Sequence, residues 1–302
     1  MTQPDVRLEH VTKRFHEVVA VDDLSTGLRG NLVEVAATLR EGSILDRHVL
    51  DEAMADAGAV VHLAARPSVP RSLADPMASH LINATGTMEV LEAARRAGRA
   101  QIIVASSSSV YGSNPAIPKV EDLVPMPMSP YAASKLAAES YALAHAASFG
   151  MDVLAFRFFN VFGPLQAAGH AYAAVVPAFI DAALAGRPLQ VHGDGRQTRD
   201  FTFVETVATV ITEAITRRVC SERPVNLAFG SRVSLLELID VLSRLLGEEL
   251  AVEHGPARTG DVRDSQADQR RLRSLFPDIA PVDLETGLGA TLEWFRRLPV
   301  QS

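Results

Sequence analysis

The stretch Gln101-Ile-Ile-Val-Ala-Ser-Ser-Ser-Ser109, followed by Tyr131-Ala-Ala-Ser-Lys135, decides how this chain reads. The apolar run Gln101–Ala105 has the pattern of a short buried strand, and the residues from Tyr131 onward have that of a helix. Tyr131 and Lys135 stand four apart, so on a helix they share one face, about one turn apart. A cationic ammonium near a phenol favours the phenolate and lowers its pKa from about 10. A nearby serine hydroxyl can then relay a proton between substrate and phenolate. Together these groups make a base for an alcohol whose carbon gives up hydride. Taken alone, Y-x-x-x-K equally describes a surface lysine beside a half-buried tyrosine.

Outward from this stretch, short β-rich runs alternate with longer helical patterns, the signature of a parallel sheet with crossover helices. Strands are expected near Glu17–Asp22, Ala59–Leu63, Gln101–Ala105 and Val153–Phe158. Helices are expected near Asp46–Asp56, Ala78–Ala97 and Tyr131–Phe149. The pattern changes past Gly163. A helix near Val175–Ala185 and a strand at Leu189–His192 precede helices near Glu205–Arg217, Leu235–Leu246 and Leu284–Arg297. The fold class is α/β, a doubly wound, Rossmann-like parallel sheet. The division is a dinucleotide-binding unit over 1–163 and a smaller, interleaved lobe over 164–302.

Three segments carry a resemblance: Ser106-Ser-Ser-Ser-Val-Tyr-Gly112, Ser129-Pro-Tyr-Ala-Ala-Ser-Lys135 and Arg157-Phe-Phe-Asn-Val-Phe-Gly-Pro164. In this order they resemble the extended short-chain dehydrogenase/reductase superfamily, and within it the NAD-dependent nucleotide-sugar epimerases and dehydratases. Gly193-Asp-Gly195 with Thr198-Arg-Asp-Phe201, and Arg258-Thr-Gly-Asp-Val262, fit the later part of the same pattern. The likeness runs from about Glu17 to about Arg297 and is carried by the set, not by any one motif.

One part of the pattern is missing. Relatives begin with a strand and a glycine-rich turn that cradles the cofactor pyrophosphate, where bare backbone and a helix N-terminus present N–H groups. Here no glycine precedes Gly27, and Val18-Val-Ala-Val-Asp-Asp-Leu-Ser-Thr-Gly27 resembles the family's second strand and its loop. The first βα unit is therefore read as missing or replaced, which leaves ladder groups of a central strand position unpaired. Val6-Arg-Leu-Glu-His-Val11 alternates like a strand, but Thr12–His16 is too short for a parallel crossover, so an antiparallel hairpin is its feasible use. The run Val6–Phe15 also looks like the opening of an ABC-transporter ATPase. No G-x-x-x-x-G-K-[ST] loop follows to support that chemistry.

The resemblance implies roles residue by residue. Ser107, Tyr131 and Lys135 take the catalytic positions: hydroxyl bridge, general base, and electrostatic support with a ribose contact. Asp22, at a strand end, would accept two ribose hydroxyls and repel a 2′-phosphate, which favours NAD over NADP; the alternative is an acidic loop residue. Ser43 and Ile44 resemble the adenine clasp, although relatives more often carry Asp where Ser43 stands. Leu63, Ala64 and Ala65 look like the small-residue loop beside the cofactor. Asn83 lies on a helix that faces the cofactor in relatives; a core or capping role is the alternative. His62 reads as a packed strand-end histidine.

On the substrate side, the resemblance gives Asn160, Arg199 and Arg258 to the sugar-nucleotide diphosphate and Asp261 to a ribose. Guanidinium forks suit diphosphates. Ser265 stands where glucose-restricted relatives have a bulky tyrosine, leaving room for an N-acetyl group. Ala171-Tyr-Ala-Ala-Val-Val-Pro177 and Ser68-Val-Pro-Arg-Ser72 look most like epimerases acting on N-acetylated UDP-hexoses. Dehydratase relatives carry an Asp-Glu pair where this chain has Ser108 and Ser109, which tilts the reading towards epimerisation at C4 of a UDP-hexose. The alternatives are a nucleotide-sugar dehydratase or oxidoreductase, and an NAD-free paralogue that only binds nucleotide sugar.

Composition sets the remaining bounds. The 302 residues carry a net charge of −7, which argues against a nucleic-acid surface but permits a diphosphate held by local arginines. The single cysteine, Cys220, excludes an internal disulfide and a cysteine metal cluster. No apolar run reaches the roughly 18 residues of a membrane span, and the first residues lack a secretory h-region, so the expectation is a cytoplasmic protein. The resemblance also implies a homodimer through two helices, one of them carrying Tyr131.

Overall fold

The computed structural model describes residues 18–33, 35–98, 100–166, 173–256 and 263–298. The expected hairpin at Val6–Val11, together with Arg258, Asp261, Ala171 and Tyr172, lies outside the described residues.

The first half alternates strand and helix: β1 (Val19–Asp22), β2 (Thr38–Glu41), α1 (Arg47–Met54), β3 (Ala59–His62), α2 (Val69–Ala74), α3 (Pro76–His80), α4 (Gly86–Ala97), β4 (Gln101–Ser107), α5 (Pro130–Phe149) and β5 (Val153–Phe158). The second half runs β6 (Asn160–Phe162), α6 (Val175–Leu184), β7 (Leu189–His192), β8 (Thr198–Arg199), β9 (Phe201–Phe203), α7 (Val204–Thr216), β10 (Val225–Leu227), β11 (Val233–Ser234), α8 (Leu235–Leu246), β12 (Val252–Gly255), α9 (Arg270–Leu275) and α10 (Leu284–Arg297).

Strands β10, β5, β4 and β3 pair in that order, all parallel, with Ser106 beside Arg157 and Ser107 beside Phe158. Side chains alternate across this sheet. Ile102, Val104 and Val153 pack with Leu50, Met54, Val90, Leu91 and Ala142 of α1, α4 and α5. Ile103, Leu154 and Phe156 pack on the other side with Val207, Val210 and Ala214 of α7 and Leu272 of α9. Helices on both faces make the sheet doubly wound.

Among the described residues the four-stranded sheet ends at β3. Strands β1 and β2 form a separate parallel pair. Residues Val18–Asp22 and Ala59–Ala65 instead line one open cleft of about 1890 Å³.

Local sequence explains where the principal helices begin and end. Helix α5 starts at Ser129, whose hydroxyl accepts the Ala132 N–H, with Pro130 in the first turn, and ends at left-handed Gly150. Helix α8 opens on a Ser234–Glu237 capping box. The single helix expected over Ala78–Ala97 is one path with a π turn, Leu81–Thr85, set between α3 and α4. The later part of the chain has its own core, where Phe179, Ile180, Leu189, Val191, Leu238 and Leu292 meet. It still returns β10 to the first sheet, so the two halves interleave.

Candidate active site

Strand β4 ends at Ser107, and a 3-10 turn, Ser108–Tyr111, carries the chain away. Gly112 is required to close that turn: its φ is +50°, and a Cβ there would lie 1.7 Å from the Met126 carbonyl oxygen. The Ser107 Oγ accepts the Ser109 N–H at 3.2 Å and the Ser109 hydroxyl at 2.9 Å. The Ser107 hydroxyl also interacts with the phenol of Tyr131 on α5, an interaction that favours the phenolate.

Tyr131 is half-buried and Lys135 is buried. Burial pushes the Tyr131 phenol up from its ordinary value, and the Ser107 hydrogen bond only partly offsets this. That corrects the expectation of a phenol lowered by its lysine neighbour. The reason is physical: the same desolvation acts on both groups and draws Lys135 down to about 8. His62, at the end of β3, is packed as expected, with Nε2 2.9 Å from the Thr87 hydroxyl. Desolvation, with the Lys135 charge added, takes His62 down to about 3.

The cleft beside β1 and β3 gathers most of the residues expected at a cofactor. Asp22, Ser43, Ile44, Leu63, Ala64 and Ala65 all line it. Asp22 is exposed at the strand end and accepts the Leu24 N–H at 2.7 Å. Gly27 lies directly against it, since a Cβ on Gly27 would fall 2.7 Å from Asp22 Oδ2. Ile44 is divided in its role: it lines the cleft, yet its side chain packs on Gly86 in the core. Asn83 does not line the cleft. It is buried in the π turn, accepts the Arg66 N–H at 2.7 Å, and donates to the Arg66 carbonyl and the Ser134 hydroxyl. It therefore ties the loop after β3 to the N-terminal part of α5.

On the substrate side, Asn160 and Arg199 lie on strands flanking Asp200. The Asn160 N–H and side-chain amide donate to the Asp200 carbonyl, and the Arg199 guanidinium donates to the Thr198 and Arg263 carbonyls. The Ser265 N–H donates to the Thr198 carbonyl, so its segment lies beside β8. Asp200 itself escaped sequence reading. Fully buried, its carboxylate accepts from the N–H groups of Gly230, Ser231 and Ala267 and from the Ser231 hydroxyl. Desolvation raises it to about 6 against those four bonds.

The donor set fits NAD at both of its ends. A carboxylate at the end of β1 suits the adenosine ribose, and the Tyr131–Lys135 face suits the nicotinamide ribose. Among the described residues no group of three or more metal-ligating side chains is gathered. No described helix is long and apolar enough to cross a membrane.

A doubly wound sheet with a serine at the carboxyl end of a central strand, and a tyrosine and lysine on the helix that follows it, is the arrangement of a nucleotide-cofactor enzyme. The chain belongs to the NAD dependent epimerase/dehydratase family, whose model matches residues 7–228. It is 36% identical over 288 residues to a UDP-glucose 4-epimerase of Mycolicibacterium smegmatis, covering 93% of this chain and 91% of that one. A dTDP-glucose 4,6-dehydratase of Streptomyces griseus is 35% identical over 245 residues, 81% of this chain and 73% of that one. A solved UDP-N-acetylglucosamine 4-epimerase of Methanobrevibacter ruminantium M1, in complex with UDP-N-acetylmuramic acid, superposes with a TM-score of 0.88 at 33% identity, covering 93% and 90% of the two chains.

Proposed function

We propose that the protein epimerises C4 of a UDP-hexose through a 4-keto intermediate, with UDP-N-acetylglucosamine/galactosamine as first substrate and UDP-glucose/galactose as second. The observation that carries this is the interaction of the Ser107 hydroxyl with the Tyr131 phenol, with Lys135 buried one turn further along α5 and a neighbouring turn bearing hydroxyls at Ser108 and Ser109 rather than carboxylates. Elimination of water needs an acid and a base at the neighbouring carbon, and two serines supply neither.

When bound, NAD supplies the acceptor for hydride and returns it. The protein's residues handle the proton. Tyr131 takes it from the 4-hydroxyl, directly or across Ser107, as the C4–H bond breaks and the ketone forms. After the keto sugar turns over, Tyr131 gives the proton back to the oxygen as C4 regains hydride on its other face. Lys135 offsets the phenolate charge that exists between these two transfers. Asn160, at the end of the first unit, and Arg199, Arg258, Asp261 and Ser265, in the lobe of residues 164–302, hold the UDP and the hexose. A homodimer built on α5, whose Tyr141 and Phe149 are exposed, completes the proposal.

The test is incubation with each UDP-hexose followed by chromatography and mass measurement. An epimer has the substrate's mass, whereas a product lighter by one water overturns epimerisation in favour of dehydration. Tyr131→Phe must abolish the reaction; an unchanged rate removes Tyr131 from the mechanism.

A further inference from the structure

Helix α5 carries Tyr131 and Lys135, and the face it buries is built of small and polar side chains, with Leu136 only partly buried against Val110 and Tyr111. Its buried residues are Ala132, Ser134, Lys135, Ala138, Glu139, Ala142 and His145, with no large apolar side chain among them. Large knobs seated in holes resist sliding; alanines leave shallow ridges that resist it weakly. A proton relay between Ser107 on β4 and Tyr131 on α5 nevertheless requires the two elements to hold their register closely.

A buried polar cluster lies where that register is set. Glu139 follows Lys135 by four residues and Tyr131 by eight, so it continues the same face of α5. Its carboxylate accepts the Ser106 hydroxyl at 2.6 Å and two bonds from Arg157, Nε at 2.9 Å and Nη2 at 2.6 Å. Ser106 is the chain neighbour of Ser107, and Arg157 stands beside Ser106 in the β4–β5 register. All three are about 97% buried. The remaining side of the guanidinium is held as well: Nη1 donates to the Glu121 carbonyl at 3.0 Å, and the Tyr111 ring lies 4.7 Å from Cζ. Tyr111 in turn donates to Asn226 at 2.6 Å.

A buried ion pair is weak evidence of net stability, because desolvation consumes much of its attraction; its best-attested use is to specify one arrangement over near-equal ones. We infer that Glu139, Arg157 and Ser106 form a positioning device that locks the register of the Tyr131–Lys135 helix against the Ser107 strand. None of the three is among the residues assigned to substrate. The directional bonds supply what the small-residue packing cannot. A shift of α5 along its axis breaks three charged or charge-assisted hydrogen bonds at once.

This inference rests on the proposed relay, so its test carries a readout that does not depend on turnover. Ser106→Ala removes one bond and leaves the ion pair; Glu139→Gln keeps the shape and weakens all three. The expected result is a fall in kcat of roughly tenfold for Ser106→Ala and roughly a hundredfold for Glu139→Gln, with KM within about twofold of the parent. The Tyr131 ionisation, read by ultraviolet difference titration against Tyr131→Phe, shifts upward in both variants as its Ser107 bond loosens. Unchanged kcat and unchanged titration in folded Ser106→Ala overturn the inference even where Glu139→Gln fails to fold. If the parent turns over no UDP-hexose, the proposed function fails, and the titration alone still decides the positioning role.

Discussion

His62 on β3 and Lys135 on α5 lie close enough for the lysine charge to act on the imidazole, and both are buried. Desolvation, then Lys135, holds His62 neutral down to about pH 3, whereas an unfolded histidine gains its proton near 6.5. Between these values the unfolded chain binds a proton that the folded one refuses, so stability rises with pH across this window and is lost as pH falls. Asp200, raised to about 6, acts in the opposite sense between its ordinary value and 6. Thermal unfolding of the parent and of His62→Asn from pH 7 to 4 separates the two. The difference between parent and variant shrinks on acidification as the parent loses the His62 contribution. A difference independent of pH rejects the assignment.

Lys135 also sets a limit on activity. In the free enzyme its ammonium is drawn down by burial to about 8, while the Tyr131 phenol is pushed above its ordinary value. The profile of kcat/KM reports free-enzyme groups. It is expected to decline above about pH 8, when the charge supporting the phenolate is lost. Lys135→Met removes that limb and lowers the rate throughout. A profile rising unbroken from pH 8 to 10 contradicts this reading.

Much of the first half was legible because its strands are separated by strongly periodic helices. The expected strand at Val153–Phe158 is β5, and the expected helix Tyr131–Phe149 is α5 extended by Pro130. The short strands β6, β8, β9 and β11 were not legible, because two- and three-residue ladders leave no periodic trace. The π turn around Asn83 was hidden for a related reason, since one extra residue in a helix barely alters its pattern. Asp200 sat unread inside Thr198-Arg-Asp-Phe201 because its four donors come from segments 30 and 67 residues away. Glu139 could have been found: its spacing from Tyr131 and Lys135 puts a carboxylate on the reactive face, though its partners Ser106 and Arg157 become evident only in the sheet register.

Asp200→Asn tests how far one carboxylate joins the later segments. An amide oxygen can accept only part of what two carboxylate oxygens accept, and its NH₂ group meets N–H donors head-on. The expected loss is about 2–3 kcal/mol of stability, measured by urea unfolding. KM for the UDP-sugar should rise, because Arg199 neighbours this hub in sequence. Retained stability with unchanged KM makes Asp200 an idle buried acid.

Gly27 and Asp22 give the most direct test of cofactor choice. The Asp22 carboxylate occupies the space that a Gly27 side chain would need, with both oxygens under 3 Å from the built Cβ position (2.7 and 2.8 Å). Gly27→Ala should therefore displace the carboxylate without disturbing a core to which neither residue contributes. NAD affinity is expected to fall about tenfold, the worth of one charge-assisted hydrogen bond. Asp22→Ser should lose affinity for NAD to a similar degree and narrow the preference over NADP, since the repulsion of a 2′-phosphate goes with the charge. Fluorescence titration of both cofactors against parent and variants reads this directly. If Asp22→Ser binds both dinucleotides as the parent does, the ribose is held elsewhere, and Asp22 reverts to an acidic loop residue.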